Sequence, residues 1–430
     1  MLFKDITILD QDLCIKSSVY VGIAGRHIEY IGSSMPGKDY GRIYEGRGKL
    51  LMSGFFNSHA HTPMTLMRGY GENMTLQSWL NKRIFPFEAL LTGDDVYYAT
   101  LLGIAESLRF GIVSTTDMYY FCDRMADAFL ESGAKANIGR GITCFNDDDL
   151  YALPAYRESK ELYEKYNESG EGRIKIDMSL HGEYTSTPKI ISQLAEFTKS
   201  LGAQMHVHVS ETADEHEGCK ERHQGRTPVR YLADLGLLDS KTTAAHCVYI
   251  EEDDYRILKE KDVTVASNPV SNLKLASGVC NVPKLLKKGI NVAIGTDSVS
   301  SNNSLNFVEE MKFFALVHKE KFRDPRLTTT RETLHAATRA GAIGQGRKDT
   351  GTLGEGFKAD LIVLDISGPN MHPVHDLKNN IVYSASGSDV LMTMADGRVV
   401  YEEGNYPTLD MEKIRFETER STERIIEALR

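Results

Sequence analysis

Two closely spaced histidine pairs are the part of this sequence with the clearest capacity for chemistry. His59 and His61 lie in NSHAHT, and His206 and His208 lie in HVHVSET. Residues two apart on an extended strand face the same side, so each pair presents two imidazoles to one face. Paired imidazoles form half of a metal site. An H-x-H motif alone is weak evidence, and its weight depends on what else accompanies it.

Further polar residues follow apolar runs in the same way. His246 ends TTAAH, Asp297 ends NVAIGTD, and Glu211 follows His208 by three positions. A single buried histidine is more often a core residue, and a single Asp after Gly-Thr is more often part of a turn. Their joint placement at strand ends favours a metal centre. We predict that four side chains hold the metal: His59, His61, His208 and Asp297. His206 is predicted to be structural.

The ligand types select the metal. Nitrogen ligands with one carboxylate suit one divalent cation per chain, with Zn²⁺ preferred and Fe²⁺ or Mn²⁺ as alternatives. The cation lowers the pKa of bound water from ~15.7 towards ~7, and Glu211 and His246 remain for proton transfer. A binuclear centre would need a bridging ligand at the end of the fourth strand. That strand ends in His181, and Lys175 lies near its start, which favours one metal.

Alternating strands and helices must position these residues. We predict eight strand-like runs, at 50–58, 112–117, 135–142, 173–181, 203–210, 242–246, 263–267 and 291–297. Helical stretches between and after them are predicted at 94–109, 123–132, 155–166, 188–200, 227–235, 252–260, 282–288 and 304–319. This alternation favours an α/β (β/α)8 TIM barrel, whose active sites lie at the carboxyl ends of the strands. The alternative, a doubly wound open sheet, lacks a G-x-G-x-x-G after its first strand.

The two ends of the chain contain only strand-like segments, apart from a charged helix at 410–430. Each end alone has too few strands for a stable core. We therefore predict a small composite β-sandwich domain from residues 1–50 plus 358–430, with the C-terminal helix. The barrel is predicted over residues 51–357.

Composition excludes several classes of protein. The 430 residues are 41% hydrophobic and 26% charged, which excludes a mainly disordered chain. No run of about 18 apolar residues indicates a membrane span, and MLFKDITILD does not resemble a signal peptide. The net charge of −10, without a basic block, argues against nucleic acid as a partner. Six widely spaced cysteines predict reduced thiols and a cytoplasmic location. A homo-oligomer is compatible with this sequence.

Several motifs resemble those of the amidohydrolase superfamily, and more narrowly the methylthioadenosine/S-adenosylhomocysteine deaminases. The motifs are GFFNSHAHTPMTLMRGYGENMTLQSWL, FPFEALLT, HVHVSET, AAHCVYI, SNPVSNLKLASG and GTDSVSSNNSLN. The resemblance covers nearly all of residues 1–410. It implies a zinc-dependent hydrolytic deaminase of adenosine-type nucleosides, such as 5′-methylthioadenosine, S-adenosylhomocysteine, adenosine or 5′-deoxyadenosine. The products would be the inosine analogue and ammonia.

The same resemblance implies roles for individual residues. Glu211 would contact the purine ring and act in catalysis with His246 and Asp297. Glu88 and His181 would contact the sugar, Trp79 would lie near the nucleoside, and Arg140 would lie in the substrate region. A second family arginine is not clearly matched, and Arg157 is the nearest candidate.

Other functions remain open at this point. The same scaffold and ligands would support deamination of guanine or dechlorination of an s-triazine, since both reactions attack an electron-poor aromatic carbon. A non-catalytic barrel and a binuclear hydrolase of cyclic amides are further alternatives. The sugar contacts implied for Glu88 and His181 favour a nucleoside.

Overall fold

The computed structural model describes residues 1–146 and 148–430. Its strands are β1 Leu2–Leu9, β2 Ile15–Ala24, β3 His27–Gly32, β4 Ile43–Glu45, β5 Lys49–Ser53, β6 Phe55–Ala60, β7 Ile112–Tyr119, β8 Lys135–Ile142, β9 Ile174–Ile176, β10 Met178–Leu180, β11 Met205–Val209, β12 Thr242–His246, β13 Thr264–Ser267, β14 Asn291–Ile294, β15 Leu361–Asp365, β16 Val390–Ala395 and β17 Arg398–Glu402. These strands form two sheets.

Helices connect and follow these strands along the chain. They are α1 Leu76–Trp79, α2 Phe85–Glu88, α3 Gly93–Arg109, α4 Cys122–Ser132, α5 Pro154–Tyr166, α6 Ser169–Gly172, α7 Pro188–Leu201, α8 Ala213–Arg222, α9 Pro228–Asp234, α10 Glu252–Glu260, α11 Pro269–Lys274, α12 Val282–Lys287, α13 Phe307–Phe322, α14 Thr330–Ala337, α15 Arg339–Gly344, α16 Leu377–Tyr383 and α17 Met411–Ala428. Within the described residues, no helix has the length and apolar character needed to cross a membrane.

The predicted barrel is confirmed. Strands β6 to β14 follow the order β14-β13-β12-β11-β10-β8-β7-β6, with β9 also paired to β8, and their pairings are parallel. β9 and β10 are two pieces of the fourth predicted strand. The last strand meets the first just beyond β14, where the Asp297 amide donates a hydrogen bond to the His59 carbonyl at 2.9 Å. This contact brings the ends of β6 and β14 together.

The composite sheet from the two ends of the chain is also confirmed. Its order is β17-β16-β15-β5-β1-β2-β3, with β4 paired to β1. The predicted run at 50–58 is divided between the sheets, because β5 pairs with β15 and β6 pairs with β7. Gly54 joins β5 and β6, and a Cβ there would lie 2.4 Å from Val113 Cγ1. The predicted domain boundary after residue 50 lies inside β5, and the domain division stays a prediction.

Local sequence signals explain how several helices begin. Thr187 and Thr227 each precede a proline at the first helical position, and each side chain accepts a hydrogen bond from an amide in the first turn. The Asn281 side chain also accepts an amide from the first turn of α12, where Pro283 is the second helical residue. Such caps satisfy amide groups that have no partner inside the helix. The predicted C-terminal helix is α17, which packs on α3, and Arg424 forms an ion pair with Asp95.

A buried ion cluster joins the barrel to the composite sheet. Lys135, the first residue of β8, lies with its Nζ 2.6 Å from Asp396 Oδ1 and also pairs with Asp360. Asp360 precedes β15, and Asp396 lies in the turn between β16 and β17. All three side chains are at least 95% buried. Removing one charge from such a group leaves buried charge without compensation.

The variant Lys135→Met is expected to lower the free energy of unfolding by about 3–5 kcal/mol, because Asp360 loses its cation and Asp396 keeps only its pair with Arg26. Urea denaturation followed by circular dichroism measures the change. Lys4→Met removes a lysine from the exposed Lys4–Glu45 pair and serves as the control, with a midpoint equal to that of the unaltered protein. Equal midpoints for the two variants would contradict this interpretation of the cluster.

Candidate metal centre and active site

The barrel brings most of the predicted site residues to one cavity at the carboxyl ends of its strands. The cavity has a volume of about 300 Å³. Its lining includes eight of the predicted residues: His61, Trp79, Glu88, His181, His208, Glu211, His246 and Asp297. His59 lies fully buried beside them, and Arg140 lines an adjoining cavity instead.

Hydrogen bonds fix how two of the imidazoles face this cavity. His61 Nδ1 lies 2.6 Å from the Met118 carbonyl oxygen, and His208 Nδ1 lies 2.7 Å from the His181 carbonyl oxygen. A carbonyl oxygen only accepts, so each Nδ1 carries the proton and donates it. In the neutral form of each ring the lone pair is then on Nε2, and the two Nε2 atoms lie 3.3 Å apart. Such contacts orient histidine ligands in metal sites.

His59 is held by another histidine. Its Nδ1 lies 2.9 Å from His206 Nε2, and its own Nε2 is buried without a hydrogen-bond partner. Burial lowers the pKa of His59 to about 3, so the ring is neutral. A neutral imidazole with a buried, unpartnered Nε2 is in the state needed to bind a cation. His206, predicted to be structural, thus contacts a predicted ligand directly.

Asp297 completes the cluster. Its Oδ1 lies 3.5 Å from both His59 Nε2 and His61 Nε2. Ligands at 2.0–2.2 Å from a tetrahedral Zn²⁺ lie about 3.3–3.5 Å from one another, so these separations fit a single cation. Asp297 Oδ2 accepts hydrogen bonds from Ser271 at 2.5 Å and Ser301 at 3.2 Å. The two serines leave Oδ1 directed at the imidazoles.

Glu211 lies beside this cluster with its side chain largely buried. Burial, with a smaller contribution from the Asp297 charge, raises the pKa of Glu211 to about 8. This shift favours the protonated form of the carboxyl group. Glu215 fixes the backbone here, because its two oxygens accept the amides of Ser210 at 2.8 Å and Glu211 at 2.7 Å. A Thr-x-x-Glu pattern at 212–215 is the sequence signal that could have found Glu215.

His246 faces Glu211 across the cavity, with its Nε2 3.9 Å from Glu211 Oε2. Its Nδ1 lies 3.1 Å from Asn268 Nδ2 and 3.0 Å from Asn272 Nδ2, which fixes the ring orientation. Sequence reasoning did not single out Asn268, Asn272 or Ser271, although all three lie in the motif SNPVSN.

Backbone strain is concentrated at these strand ends. Ser210, His246 and Asp297 adopt positive φ angles of 50°, 73° and 60°. Residues other than glycine seldom adopt this left-handed region, which is unfavourable by about 1–2 kcal/mol each. The strain turns the chain sharply where each strand ends, and it aims the His246 and Asp297 side chains inward.

The residues predicted to contact a substrate lie on the walls of the cavity. Glu88 ends α2, His181 directly follows β10, and Trp79 ends α1 with only 6% of its surface exposed. Burial raises the pKa of Glu88 to about 7 and lowers that of His181 to about 4. The structure places these groups at the same cavity as the metal cluster, and their contacts with a ligand stay predictions.

Arg140 is separated from the metal cluster. It lies near the end of β8, and its Nε donates to Glu158 Oε2 at 2.6 Å. The cavity it lines shares Phe85, Glu88 and Tyr120 with the first one. Arg140 is therefore next to the predicted site, and its predicted role in substrate binding is untested by this geometry.

A comparison with protein families agrees with the fold and the cluster. The model of the amidohydrolase family matches residues 50–400. The chain belongs to the amidohydrolase family. This confirms the family resemblance drawn from the motifs.

Individual relatives match nearly the whole of this amidohydrolase. A 5-methylthioadenosine/S-adenosylhomocysteine deaminase of Caldanaerobacter subterraneus subsp. tengcongensis is 38% identical over 428 residues, covering 99% of this chain and 98% of the relative. A 5′-deoxyadenosine deaminase of Methanosarcina mazei is 38% identical over 389 residues, covering 89% and 88%. The crystal structure of a Xanthomonas campestris adenosine deaminase with bound zinc superposes with a TM-score of 0.92 at 27% identity, covering 99% and 98%.

Replacing His206 tests whether the His206–His59 contact supports metal binding. His206→Ala is expected to weaken zinc affinity by about 10- to 100-fold, because the His59 Nδ1 proton loses its acceptor and the ring loses its orientation. His206→Gln keeps an acceptor oxygen and is expected to retain most of the affinity. Competition with a chromophoric chelator measures both.

The control is His318→Ala, which removes another buried imidazole whose Nδ1 donates to the Phe314 carbonyl. This variant is expected to bind zinc with unchanged affinity. An unchanged affinity in His206→Ala, or an equal loss in His318→Ala, would show that His206 has no specific part in binding.

Proposed function

We propose that this amidohydrolase is a zinc-dependent deaminase of adenosine-type nucleosides, which converts them with water to the inosine analogue and ammonia. The observation that carries the proposal is a buried Glu211 on the same cavity as His61, His208 and Asp297, with His59 buried beside them. The names of the two deaminase relatives support the substrate class.

The cluster suits one Zn²⁺ in donor type, and the separations of Asp297 from His59 and His61 and of His61 from His208 match ligands of a single cation. His59, His61 and His208 would each bind through Nε2, and Asp297 would bind through Oδ1. When bound, the cation acts as a Lewis acid and lowers the pKa of water to near neutrality. The zinc-containing adenosine deaminase structure supports zinc over iron or manganese.

Glu211 is the proton donor in this proposal. An adenine ring attacked at C6 gains negative charge at N1, and a carboxylic acid beside N1 can supply a proton as that charge develops. A glutamate with an ordinary pKa would be ionised and could not donate. The raised pKa of Glu211, about 8, keeps the proton on the carboxyl group until the ring takes it.

Asp297 would transfer a second proton, and His246 would position the nucleophile. Asp297 would accept a proton from the attacking water and deliver it to the departing amine, while Ser271 and Ser301 hold its Oδ2. His246, fixed by Asn268 and Asn272, would orient the attacking oxygen at C6. As the C6–N bond breaks, the proton on the C6 oxygen would return to Glu211, so the step consumes one water and releases ammonia.

The walls of the cavity favour a nucleoside over a free base or a triazine. Glu88 and His181 face the same cavity as Glu211, and a carboxylate accepts hydrogen bonds from paired sugar hydroxyls. Neither guanine nor an s-triazine carries such a sugar. We propose a small-molecule substrate and a cytoplasmic location, which the six free cysteines support.

Ammonia release measured across a panel of compounds tests the proposal. The zinc-loaded protein is expected to deaminate adenosine, 5′-deoxyadenosine and 5′-methylthioadenosine, with much lower rates on adenine, guanine and a chloro-s-triazine. Glu211→Gln is expected to lose about 10²- to 10⁴-fold in kcat, the usual contribution of a positioned acid, while its zinc content stays at one per chain.

Glu217→Gln is the matched control, since Glu217 is exposed on α8, near Glu211 in sequence. It is expected to leave activity and zinc content unchanged. Guanine or triazine turnover above that of every nucleoside would contradict the proposed substrate, and full activity in Glu211→Gln would remove Glu211 from the proton transfer.

A further inference from the structure

A cavity of about 290 Å³ lies where the composite sheet meets the barrel helices α14 and α15. Its floor is apolar and buried, and is formed by Leu9 of β1, Met52 of β5 and Leu353. Among the described residues, none lines both this cavity and the one beside the metal cluster. A ligand bound here would therefore leave the proposed active site free.

Three basic side chains line one side of this cavity. Arg331, His335 and Arg339 are spaced four residues apart along α14 and the start of α15, a spacing that places side chains on one face of a helix. Partial burial lowers the pKa of His335, and the positive charges of Arg339 and Arg331 lower it further. Both charges that act on this ring are thus positive, as expected at a site that attracts an anion.

Backbone carbonyl groups hold the two arginines without neutralising them. Arg331 Nη1 donates to the Asp12 carbonyl at 2.7 Å. Arg339 Nη1 donates to the carbonyls of Lys348 at 2.9 Å and Thr350 at 2.5 Å. In the parts of the chain that the structure describes, neither guanidinium forms an ion pair, and the Nε and Nη2 donors of both have no protein acceptor. Each arginine therefore keeps its charge and several N–H donors for a ligand.

The two carboxylates that line the cavity already have partners. Asp10 Oδ2 lies 2.8 Å from Lys16 Nζ, and its Oδ1 accepts two backbone amides. Glu332 Oε2 accepts the amide of Thr329 at 2.7 Å and its hydroxyl at 2.9 Å, as part of the cap of α14. Lys16 balances Asp10, so the two arginines outnumber Glu332. The cavity keeps a net positive charge in a chain whose net charge is −10.

We propose that this cavity binds the phosphate group of a small organic molecule. Arg331 and Arg339 suit such a group, because a guanidinium donates two parallel N–H groups to a pair of phosphate oxygen atoms. His335 offers a further donor, and the apolar floor takes the organic part of the ligand. This site is separate from the proposed deaminase activity and does not depend on it.

Calorimetric titration of the zinc-loaded protein with two probes, inorganic phosphate and phenyl phosphate, tests the site at constant ionic strength. We expect both probes to bind, and phenyl phosphate to bind at least about threefold more tightly, because its ring contacts the apolar floor. Each probe is also expected to raise the midpoint of thermal unfolding, since it binds the folded protein.

Arg331→Gln and Arg339→Gln are each expected to weaken the Kd for both probes by at least about tenfold, the usual loss when a hydrogen bond to a charged group is removed. Arg331 is exposed, so its replacement should not disturb folding. Arg339→Lys keeps the charge but loses the fork of donors, and an intermediate Kd is expected. The control is Arg326→Gln, which removes an exposed arginine that pairs with Asp324 outside the cavity. Its Kd values are expected to equal those of the unaltered protein.

Phosphate can also bind a zinc ion, so the effect of the arginine variants decides where the probes bind. Loss of binding in Arg331→Gln and Arg339→Gln, with zinc content unchanged, supports the site whether or not any nucleoside is deaminated. The proposal would be overturned by unchanged binding in these two variants, by an equal loss in Arg326→Gln, or by no binding of either probe. Equal Kd values for phosphate and phenyl phosphate would contradict the part assigned to the apolar floor.

Discussion

The site depends on three imidazoles whose Nδ1 atoms are held by neighbouring groups, so that their Nε2 atoms lie close together. Each Nδ1 proton needs an acceptor, and each acceptor lies on another strand or strand end of the barrel: Met118 for His61, His181 for His208, and His206 for His59. Burial lowers the pKa of His59 and His208 and so favours their neutral forms. A cation would stabilise a cluster of imidazole nitrogens and one carboxylate in the interior, which supports the proposed metal site.

Barrel closure brings the fourth proposed ligand to the cluster. Asp297 comes from the last strand and His59 from the first, and the hydrogen bond from the Asp297 amide to the His59 carbonyl brings them together. The left-handed backbone at Asp297 and His246 turns these side chains inward. Strain of this kind persists only where surrounding contacts determine it. Ser271 and Ser301 provide such contacts to Asp297, and Asn268 and Asn272 provide them to His246. The residues around the proposed ligands therefore help to set the positions of those side chains.

The sequence predicted the barrel, the composite sheet and a set of candidate ligands, but not the contacts that orient those ligands. The periodicity of a strand can be read from its local sequence, and the carboxyl ends of parallel strands meet at one edge. For this reason His59, His61, His208 and Asp297 could be assigned to one site. The His59–His206 contact spans 147 residues, and its geometry depends on barrel closure. Helix α8 was missed because ADEHEGCKER has no clear apolar stripe, and Glu215 was missed with it. Arg140 could be named, but its pairing with Glu158 depends on how α5 packs.

X-ray absorption spectroscopy of the zinc-loaded protein, combined with metal analysis, tests the metal centre most directly. We expect one zinc per chain with a first shell of nitrogen and oxygen and the multiple scattering typical of imidazole ligands. A second group of possible ligands, Glu183, Cys219 and His223, would instead contribute a sulfur neighbour near 2.3 Å, the usual Zn–S distance. A sulfur shell, two zinc ions per chain, or no retained zinc would contradict a single metal held by three imidazoles and Asp297.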